Sequence, residues 1–178
     1  MQIIETIISG CYEILPGVFR DSRGEFIKTF NYDEFVKYNL VTDFKEEFYS
    51  VSHINVLRGL HFQSPPCDQE KIVTCMNGGA VDIILDIRKK SITYGKYLVL
   101  NISANKRNMV YIPKGCAHGF LSLADNTVMN YKVTSVHSPI CDSGILWDSI
   151  GYNWPVDIPI ISDRDKGFLP LNEFKTPF

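Results

Sequence analysis

The sequence predicts a mainly β domain, either a sandwich or a jelly roll of short antiparallel strands, with a few short helices. Turn residues recur at short intervals, the segments between them are rich in β-branched and aromatic residues, and helical patterns are scarce. The chain has 178 residues, so we expect residues 1–178 to form one domain. The breaks between segments are Gly24, Asn77-Gly78-Gly79, Gly95, Pro113-Lys114-Gly115 and Asp125-Asn126.

Eight segments between these breaks are predicted strands. They span residues 25–30, 55–62, 71–76, 80–87, 94–102, 109–112, 119–123 and 127–134. Side chains alternate between the two faces of a strand, so the 80–87 strand places Asp82, Ile84 and Asp86 on one face. We expect both aspartates to be structural, with hydrogen-bonded carboxylates.

Two short helices are predicted from their capping residues. Asn31 is a predicted N-cap for residues 32–39, which carry Asp33 and Glu34 in the first turn. Ser162 is a predicted N-cap for a turn over residues 163–166. Acidic residues favour a first helical turn because they face the positive end of the helix dipole.

The charge and hydropathy of the chain exclude several classes of function. The net charge is −2 and the pI is about 6.1, which argues against nucleic acid as the main partner, because phosphate backbones need a basic surface. No apolar run is long enough to span a bilayer. The first 20 residues lack the pattern of a signal peptide, so we expect a cytoplasmic protein.

The cysteines predict neither a disulfide framework nor a zinc knuckle. Their number is odd, their spacings are wide and no C-x-x-C occurs. We therefore expect reduced thiols, as in a cytoplasmic protein. The five cysteines are Cys11, Cys67, Cys75, Cys116 and Cys141.

The residues with useful chemistry are concentrated in three segments. Residues 58–71 read R-G-L-H-F-Q-S-P-P-C-D-Q-E-K, residues 112–120 read I-P-K-G-C-A-H-G-F, and residues 131–134 read Y-K-V-T. A histidine titrates near neutral pH and suits a general base, while a lysine can stabilise a developing negative charge.

These three segments, in this order, resemble the dTDP-4-dehydrorhamnose 3,5-epimerase family, whose fold is a cupin-like antiparallel jelly-roll β-barrel. The resemblance runs from about residue 19 to residue 166. It implies a cofactor-independent isomerase that inverts C3, C5 or both carbons of a nucleotide-linked 4-keto-6-deoxy sugar. It also implies a homodimer whose N-terminal strands cross between subunits, and a role in making a deoxysugar for lipopolysaccharide, capsule or a glycosylated metabolite.

The resemblance also implies the catalytic roles. His61 is the expected base, and Asp165 orients its ring and stabilises the imidazolium that forms. Tyr131 is expected to return a proton from the opposite face of the sugar. Lys71 is expected to stabilise the negative charge on the C4 oxygen of the enolate.

A further set of residues is expected to bind the nucleotide sugar. Arg23 and Arg58 would hold the diphosphate, Phe26 would stack on the base, His118 would contact the sugar or phosphate, and Lys28, Glu46, Phe48, Gln63 and His137 would lie near the ligand. Relatives often carry Glu at Lys28, so dTDP, CDP and GDP substrates all stay open. Relatives often carry Tyr at His137, which leaves the choice between C3, C5 and both carbons open.

No metal ion is expected. Metal cupins commonly carry H-x-H, then a Glu and then a later His, whereas the first pair here reads His61-Phe62-Gln63. Lys71 takes the Glu position, and a cation there opposes a divalent ion. Three other functions stay open: a 3,4-ketoisomerase on the same fold, a non-catalytic cupin that binds a nucleotide sugar, and a metal-dependent cupin.

Overall fold

The computed structural model describes residues 1–178 as thirteen strands and two short helices. The strands are β1 (Gln2–Glu5), β2 (Tyr12–Leu15), β3 (Gly17–Asp21), β4 (Gly24–Lys28), β5 (Glu46–Ser52), β6 (Leu57–Gln63), β7 (Lys71–Asn77), β8 (Gly79–Asp86), β9 (Tyr97–Ser103), β10 (Met109–Ile112), β11 (Cys116–Ser122), β12 (Thr127–Val133) and β13 (Asp142–Gly144). The helices are α1 (Tyr32–Lys37) and α2 (Asp163–Lys166). No helix is both long and apolar enough to cross a membrane.

The strands are divided between two sheets and a separate hairpin. The first sheet has the order β1-β2-β10-β7-β12-β5, the second has the order β13-β6-β11-β8-β9, and β3 pairs only with β4. All pairings between these strands are antiparallel. The predicted antiparallel β fold with a few short helices is confirmed, although the strands lie in two sheets and not in one closed barrel.

The side chains of the strands alternate between a core inside the sandwich and a core outside it. In β8, Ala80 and Ile84 pack between the two sheets, together with residues of β7 and β12 such as Val73 and Met129. The alternate residues of β8, including Ile83, pack on the outer face of the second sheet. Each of the larger side chains, such as Ile84, Val73 and Met129, contributes about 1.5–3 kcal/mol when it is fully buried.

The C-terminal segment covers the outer face of the second sheet. Its aromatic residues pack there against Leu60 and Phe62 of β6. The residues that provide this cover include Trp147, Tyr152, Trp154, Phe174 and Phe178. Because the segment also carries α2, this packing fixes α2 against β6. Residues of both elements line the same cavity.

The predicted strands and caps agree with the structure, while five strands were not predicted. The eight predicted segments correspond to β4 and to β6 through β12. Both N-caps are confirmed. Asn31 accepts a hydrogen bond from the Glu34 N–H at 3.1 Å, and Ser162 accepts one from the Asp165 N–H at 3.2 Å. Helix α1 ends at Lys37, two residues earlier than predicted. The unpredicted strands are β1, β2, β3, β5 and β13, which are short or lie mostly exposed at edges, so they lack a clear apolar alternation.

The expectation of five reduced cysteines is wrong for one pair. A disulfide joins Cys67 and Cys141, whose Cα atoms are 6.1 Å apart. The two residues are separated by 74 positions in the sequence, and the pairing of β13 with β6 brings their loops together. No local spacing pattern reports such a contact. Cys11, Cys75 and Cys116 are free and buried, as expected.

Candidate active site

A cavity of about 260 Å³ lies between the two sheets. Strands β5, β6, β7, β11 and β12 supply most of its walls, and β13, α2 and the loops before β7 and after β12 supply the rest. The lining residues are Phe48, Ser50, Arg58, His61, Phe62, Gln63, Gln69, Lys71, His118, Phe120, Tyr131, His137, Asp142 and Arg164. The cavity therefore brings together three of the four predicted catalytic residues and five of the predicted binding residues.

Strand β6 directs two polar side chains into the cavity because its alternation is interrupted at Gly59. Leu57 and Leu60 both pack on the outer face, although they are three residues apart, and the register with β11 shifts at this point. Gly59 has a φ of +135°, and a Cβ there would collide with the backbone of β11, so the position requires glycine. Arg58 and His61 consequently both line the cavity.

His61 is paired with Asp165, which α2 brings to the edge of the cavity. The distance between His61 Nε2 and Asp165 Oδ1 is 2.9 Å. The Gly59 N–H donates to Asp165 Oδ2 at 3.1 Å, and the Asp165 N–H donates to Ser162 Oγ. Burial alone would raise the pKa of Asp165, but the close contacts of its carboxylate with His61, the Gly59 N–H and Arg164 hold the pKa well below its usual range. Asp165 is therefore an anion in a fixed position, and the predicted contact with His61 is present.

The surroundings of His61 favour its neutral form. Burial lowers the pKa of His61, and the cations of Arg164 and Lys71 add to this effect, while Asp165 opposes it. Only the neutral imidazole can accept a proton. Nδ1 of His61 makes no hydrogen bond to the protein, since both contacts of the ring are at Nε2. The ring therefore has one free nitrogen that can act on a ligand.

Lys71, the first residue of β7, provides a buried cation in the cavity. Its Nζ lies 3.5 Å from the carbonyl oxygen of His61 and forms no ion pair with a carboxylate. Burial lowers the pKa of Lys71 from 10.5 to about 8, with the negative charge of Asp142 opposing the shift. The ammonium is thus still the main form at neutral pH, and its charge is available to a negatively charged oxygen.

Tyr131 lies on the other sheet from His61 and is held rigidly. Its ring stacks on the ring of Phe48, with centroids 4.9 Å apart and planes at 15°, because the two residues are register partners on β12 and β5. The His118 ring lies 6.0 Å away. Burial raises the pKa of Tyr131 far above its usual value, so the hydroxyl keeps its proton.

A second histidine–aspartate pair lies deeper in the same cavity. His118 Nε2 and Asp82 Oδ2 are 2.7 Å apart, and both side chains are buried. Asp82 Oδ1 has no hydrogen-bond partner, so the expectation of a satisfied carboxylate holds for only one of its oxygens. Asp86 meets that expectation, since Arg88 and Thr93 donate to it. No group of three or more His, Cys, Asp or Glu side chains is arranged to hold a metal ion.

Three predicted binding residues shape the cavity mouth. Gln63 is buried, donates to the Cys67 carbonyl at 3.0 Å and accepts from the Ser138 N–H at 2.6 Å, so it holds the two loops at the mouth. Glu46 does not line the cavity, but it accepts from the His137 N–H at 2.7 Å and thereby fixes a residue that does.

Three other predicted binding residues lie elsewhere. Arg23, Phe26 and Lys28 belong to the β3–β4 hairpin and do not line the cavity of their own chain. Arg23 forms an exposed ion pair with Asp21 at 2.6 Å. The expectation that these residues join His61 is therefore not met within one chain. A hairpin that pairs only with itself gives no sequence signal of where it docks.

Six lining residues were not predicted: Ser50, Phe62, Gln69, Phe120, Asp142 and Arg164. Arg164 makes the most notable contacts, since its Nη2 lies 2.7 Å from His61 Nε2 and its Nη1 donates to Asp142 at 2.6 Å. The sequence did contain a signal for Arg164, because it directly precedes the predicted catalytic residue Asp165 and its cation must therefore lie near that carboxylate.

The structure is a cupin-like β-sandwich whose cavity is lined by a histidine, a lysine and a tyrosine. The chain belongs to the dTDP-4-dehydrorhamnose 3,5-epimerase family, because the sequence profile of that family matches residues 5–173. The dTDP-4-dehydrorhamnose 3,5-epimerase of Methanothermobacter thermautotrophicus is 42% identical over 177 residues, which cover 97% of this chain and 95% of that protein. The resemblance inferred from the sequence is confirmed.

Solved structures agree with this assignment. The Bacillus anthracis dTDP-4-dehydrorhamnose 3,5-epimerase, with TDP and PPi bound, superposes with a TM-score of 0.91 at 35% identity, covering 94% of this chain and 97% of that chain. A 3'-monoepimerase from Streptomyces bikiniensis, in complex with dTDP-quinovose, superposes with a TM-score of 0.90 at 28% identity, covering 95% and 87% of the two chains. The same fold thus occurs in a 3,5-epimerase and in a 3'-monoepimerase.

Proposed function

We propose that this chain is a cofactor-independent isomerase that epimerises a dTDP-linked 4-keto-6-deoxy sugar at both C3 and C5. The observation that carries the proposal is the single cavity lined by a buried lysine, a buried tyrosine and a histidine paired with a fixed carboxylate. The family assignment supports the same activity. We assign the whole chain, residues 1–178, to one catalytic domain, since the family match covers nearly all of it.

The proposed mechanism uses the acidity that the 4-keto group gives to the hydrogens on C3 and C5. Nδ1 of neutral His61 removes a proton from C3 or C5 of the sugar. The electron pair of the broken C–H bond forms a carbon–carbon double bond to C4, which gives an enolate with its negative charge on O4. Asp165 stabilises the imidazolium, and Lys71 stabilises the enolate oxygen. Tyr131 donates a proton to the other face of the same carbon. Solvent then takes the proton of His61 and returns one to Tyr131, and the cycle is repeated at the second carbon.

The size of the cavity supports placing only the sugar inside it. At about 260 Å³ it falls below the range of roughly 300–1,000 Å³ that is typical of sites enclosing a whole ligand. The diphosphate and the nucleoside would therefore lie at the mouth, near Arg58 and His137. This placement leaves room for a second element to cover the nucleotide.

We further propose a homodimer in which the β3–β4 hairpin of one subunit covers the cavity mouth of the other. In this arrangement Arg23 would contact the diphosphate and Phe26 the base. Large apolar side chains are exposed on both elements: Phe26 of the hairpin is 63% exposed, and Tyr49 of the edge strand β5 is 69% exposed. A dimer interface would bury them. Light scattering should give the mass of two chains, and a monomer would contradict this part of the proposal.

Deuterium exchange tests the reaction directly. The protein is incubated in deuterated water with dTDP-, CDP- and GDP-linked 4-keto-6-deoxy sugars, and label is located by NMR. We expect label at C3 and C5 and the fastest exchange with the dTDP sugar. Label at one carbon would make the chain a monoepimerase and would direct attention to His137. No exchange by folded protein that binds the nucleotide sugar would sink the epimerase proposal and favour a binding module.

The other open functions have their own readouts. A 3,4-ketoisomerase would move the ketone, so its product would carry a new carbonyl position in the carbon NMR spectrum. The absence of a metal requirement is part of the proposal, and a stoichiometric transition metal in protein purified without chelator would contradict it.

The cytoplasmic location and the role in lipopolysaccharide, capsule or another glycosylated product also stay proposals. Three free cysteines suit a reducing compartment, whereas the Cys67–Cys141 disulfide is unusual there. Trapping the thiols in intact cells before lysis would measure which state prevails.

A further inference from the structure

Two charged groups compete for the same nitrogen of His61. Nε2 lies 2.9 Å from the Asp165 carboxylate and 2.7 Å from Nη2 of Arg164. A guanidinium only donates hydrogen bonds, and a carboxylate anion only accepts them. A ring nitrogen of neutral histidine carries either a proton or a lone pair, so Nε2 can satisfy only one of these neighbours at a time.

The two choices leave His61 with opposite reactivity. If Nε2 carries the proton, it donates to Asp165, and the lone pair of Nδ1 is free to accept a proton from the sugar. If Nε2 carries the lone pair, it accepts from Arg164, and the proton sits on Nδ1. In that second tautomer the ring cannot act as a base from Nδ1. Contact with Arg164 therefore favours the unreactive form, although Asp165 opposes it.

Arg164 is placed so that an anion could draw it away. Its side chain is 51% exposed and lines the cavity. Its other contacts are the carboxylates of Asp142 at 2.6 Å and Asp165 at 3.1 Å, and the ring of Phe168, whose centroid lies 5.7 Å from its Cζ. Lys71 cannot take over this role, because its ammonium is buried against the His61 carbonyl and not against the ring. The charged or titratable groups around His61 are Asp165 and Arg164 from α2, Lys71 from β7, Asp142 from β13 and His118 from β11.

We propose that Arg164 is a latch that couples binding of the substrate diphosphate to activation of His61. Against the ring, Arg164 holds Nε2 as an acceptor, and the proton stays on Nδ1. A diphosphate at the cavity mouth binds the guanidinium with charge-assisted hydrogen bonds and removes it from the ring. Exchange with solvent then moves the proton to Nε2, where it donates to Asp165 and leaves Nδ1 ready as the base.

This inference rests on the proposed function, and it makes Arg164 a positioning residue that acts through His61. It also gives the chain a reason to keep a guanidinium beside its base. His61 would adopt the tautomer with a lone pair on Nδ1 only when the anionic part of the substrate is bound. A sugar without a diphosphate would then meet a histidine in its unreactive tautomer.

Nitrogen NMR of the histidine rings measures the tautomer directly. The chain has four histidines, and the His61 signals are assigned by their loss in His61→Asn. Spectra of protein with 15N-labelled histidine are recorded at mildly alkaline pH, with and without TDP as the probe. We expect the Nδ1–H form without TDP and the Nε2–H form with it. In Arg164→Gln we expect the Nε2–H form under both conditions.

A matched control removes a positive charge from the same helix. Lys166 is exposed and pairs only with Asp163, so Lys166→Gln should show the same TDP-dependent change of tautomer as the original chain. In steady-state kinetics, Arg164→Gln should raise KM by about tenfold, because one charge-assisted contact to phosphate is lost, without lowering kcat. Arg164→Lys, which keeps the charge, should recover part of the KM.

The outcomes separate the latch from the proposed function. If TDP binds, as followed by calorimetry, and His61 keeps one tautomer throughout, the latch is wrong and the epimerase proposal stands. A fall of kcat in Arg164→Gln with an unchanged tautomer would also overturn it, since that result describes a merely structural residue. If TDP does not bind at all, the proposed function fails, and the latch fails with it.

Discussion

The cavity between the sheets and the β3–β4 hairpin both carry residues predicted to bind the substrate, but the two regions are built in different ways. In the cavity, Lys71 and Tyr131 are buried on paired central strands, and His61 is fixed by Asp165. In the hairpin, β3 pairs only with β4, and every residue of β4 is exposed. The residues proposed for the chemistry therefore lie together within one chain, whereas those proposed to recognise the nucleotide lie on a hairpin that joins neither sheet.

This difference has an energetic side. The groups of the cavity are desolvated, so their charges interact strongly and their pKa values are shifted. The ion pair of Arg23 with Asp21 is fully exposed, screened by water and salt, and easily exchanged for another anion. Substitutions in the cavity should consequently change turnover, while substitutions in the hairpin should change affinity.

The largest effect is expected for the base. His61→Asn should lower kcat by about 10²–10⁴-fold, because a positioned general base is lost, while the fold is kept. Tyr131→Phe should have a similar effect, since it removes the acid and keeps the ring stacked on Phe48. The measurements are kcat with the dTDP sugar and thermal unfolding. His53→Asn is the matched control, because His53 is exposed and lies outside the cavity. Near-full activity of His61→Asn would show that the base is another residue.

The second effect is expected for Lys71 and gives a pH dependence. Lys71→Met should lower kcat by about 10²–10³-fold, as expected for loss of one group that stabilises an oxyanion. Because the pKa of Lys71 is lowered to about 8, the cation is lost as the pH rises through that value, and kcat of the original chain should fall there. Lys71→Arg stays charged, so its remaining activity should lack this alkaline fall. An alkaline fall that persists in Lys71→Arg would assign the titration to another group.

The same pKa predicts the effect on stability. The folded-state pKa lies below the unfolded value of 10.5, so the charge of Lys71 opposes folding at pH values below about 8. Lys71→Met should therefore increase the free energy of unfolding at neutral pH, by an amount on the order of 3 kcal/mol at most. Denaturant unfolding measures it, with Lys90→Met, at an exposed lysine, as control. A less stable Lys71→Met would show that the ammonium has a stabilising partner in the fold.

The central strands and the motif residues of the candidate cavity could be predicted from the sequence because both rest on local patterns. Turn residues separate the apolar strands, Asn31 and Ser162 have the side chains that cap a helix, and three short motifs identify the family. The motif residues line one cavity, although regular strand alternation would put Arg58 and His61 on opposite faces of β6. The motifs therefore predicted which residues meet, but the irregularity at Gly59 that brings these two together was not evident from the strand period.

The remaining features depend on contacts between distant residues, which a single sequence does not report. Edge strand β5 is mostly exposed and shows no apolar alternation, although it carries Phe48 to the cavity. The contact of Arg164 with His61 spans 103 residues, and the Cys67–Cys141 disulfide spans 74. The hairpin contains residues that favour β-strands, but its sequence does not indicate which surface it contacts.

The third effect, on affinity, tests where the hairpin acts. Arg23→Ala should raise KM by about tenfold with a smaller change of kcat, because a phosphate contact is lost and the chemistry is intact. Lys37→Ala is the control, since it removes an exposed positive charge from α1, outside both regions. An unchanged KM would show that Arg23 does not contact the substrate.

Mixing two variants tests whether the hairpin acts on the cavity of its own subunit or on that of the other subunit. In a hybrid dimer of His61→Asn and Arg23→Ala chains, one cavity would have an intact His61 and would be covered by an intact hairpin. After the subunits exchange, activity at low substrate should rise toward about a quarter of the original, as expected for random pairing in a two-fold dimer. If the hairpin served its own cavity, no site would be intact and mixing would restore nothing.

The smallest effect on turnover is expected at the disulfide, which ties together the two loops at the cavity mouth while the hairpin has no such tie. Cys67→Ser should leave kcat within a few-fold, since no catalytic group is lost, but it should lower the free energy of unfolding. Release of a crosslink that spans 74 residues costs roughly 4 kcal/mol in the chain-entropy account. Thermal unfolding with and without dithiothreitol measures this, and reductant should destabilise the original chain but not the variant. If reductant has no effect on the original chain, the two cysteines are already reduced in solution, and hydrogen bonds such as those of Gln63 and Ser135 to the Cys67 carbonyl hold the mouth.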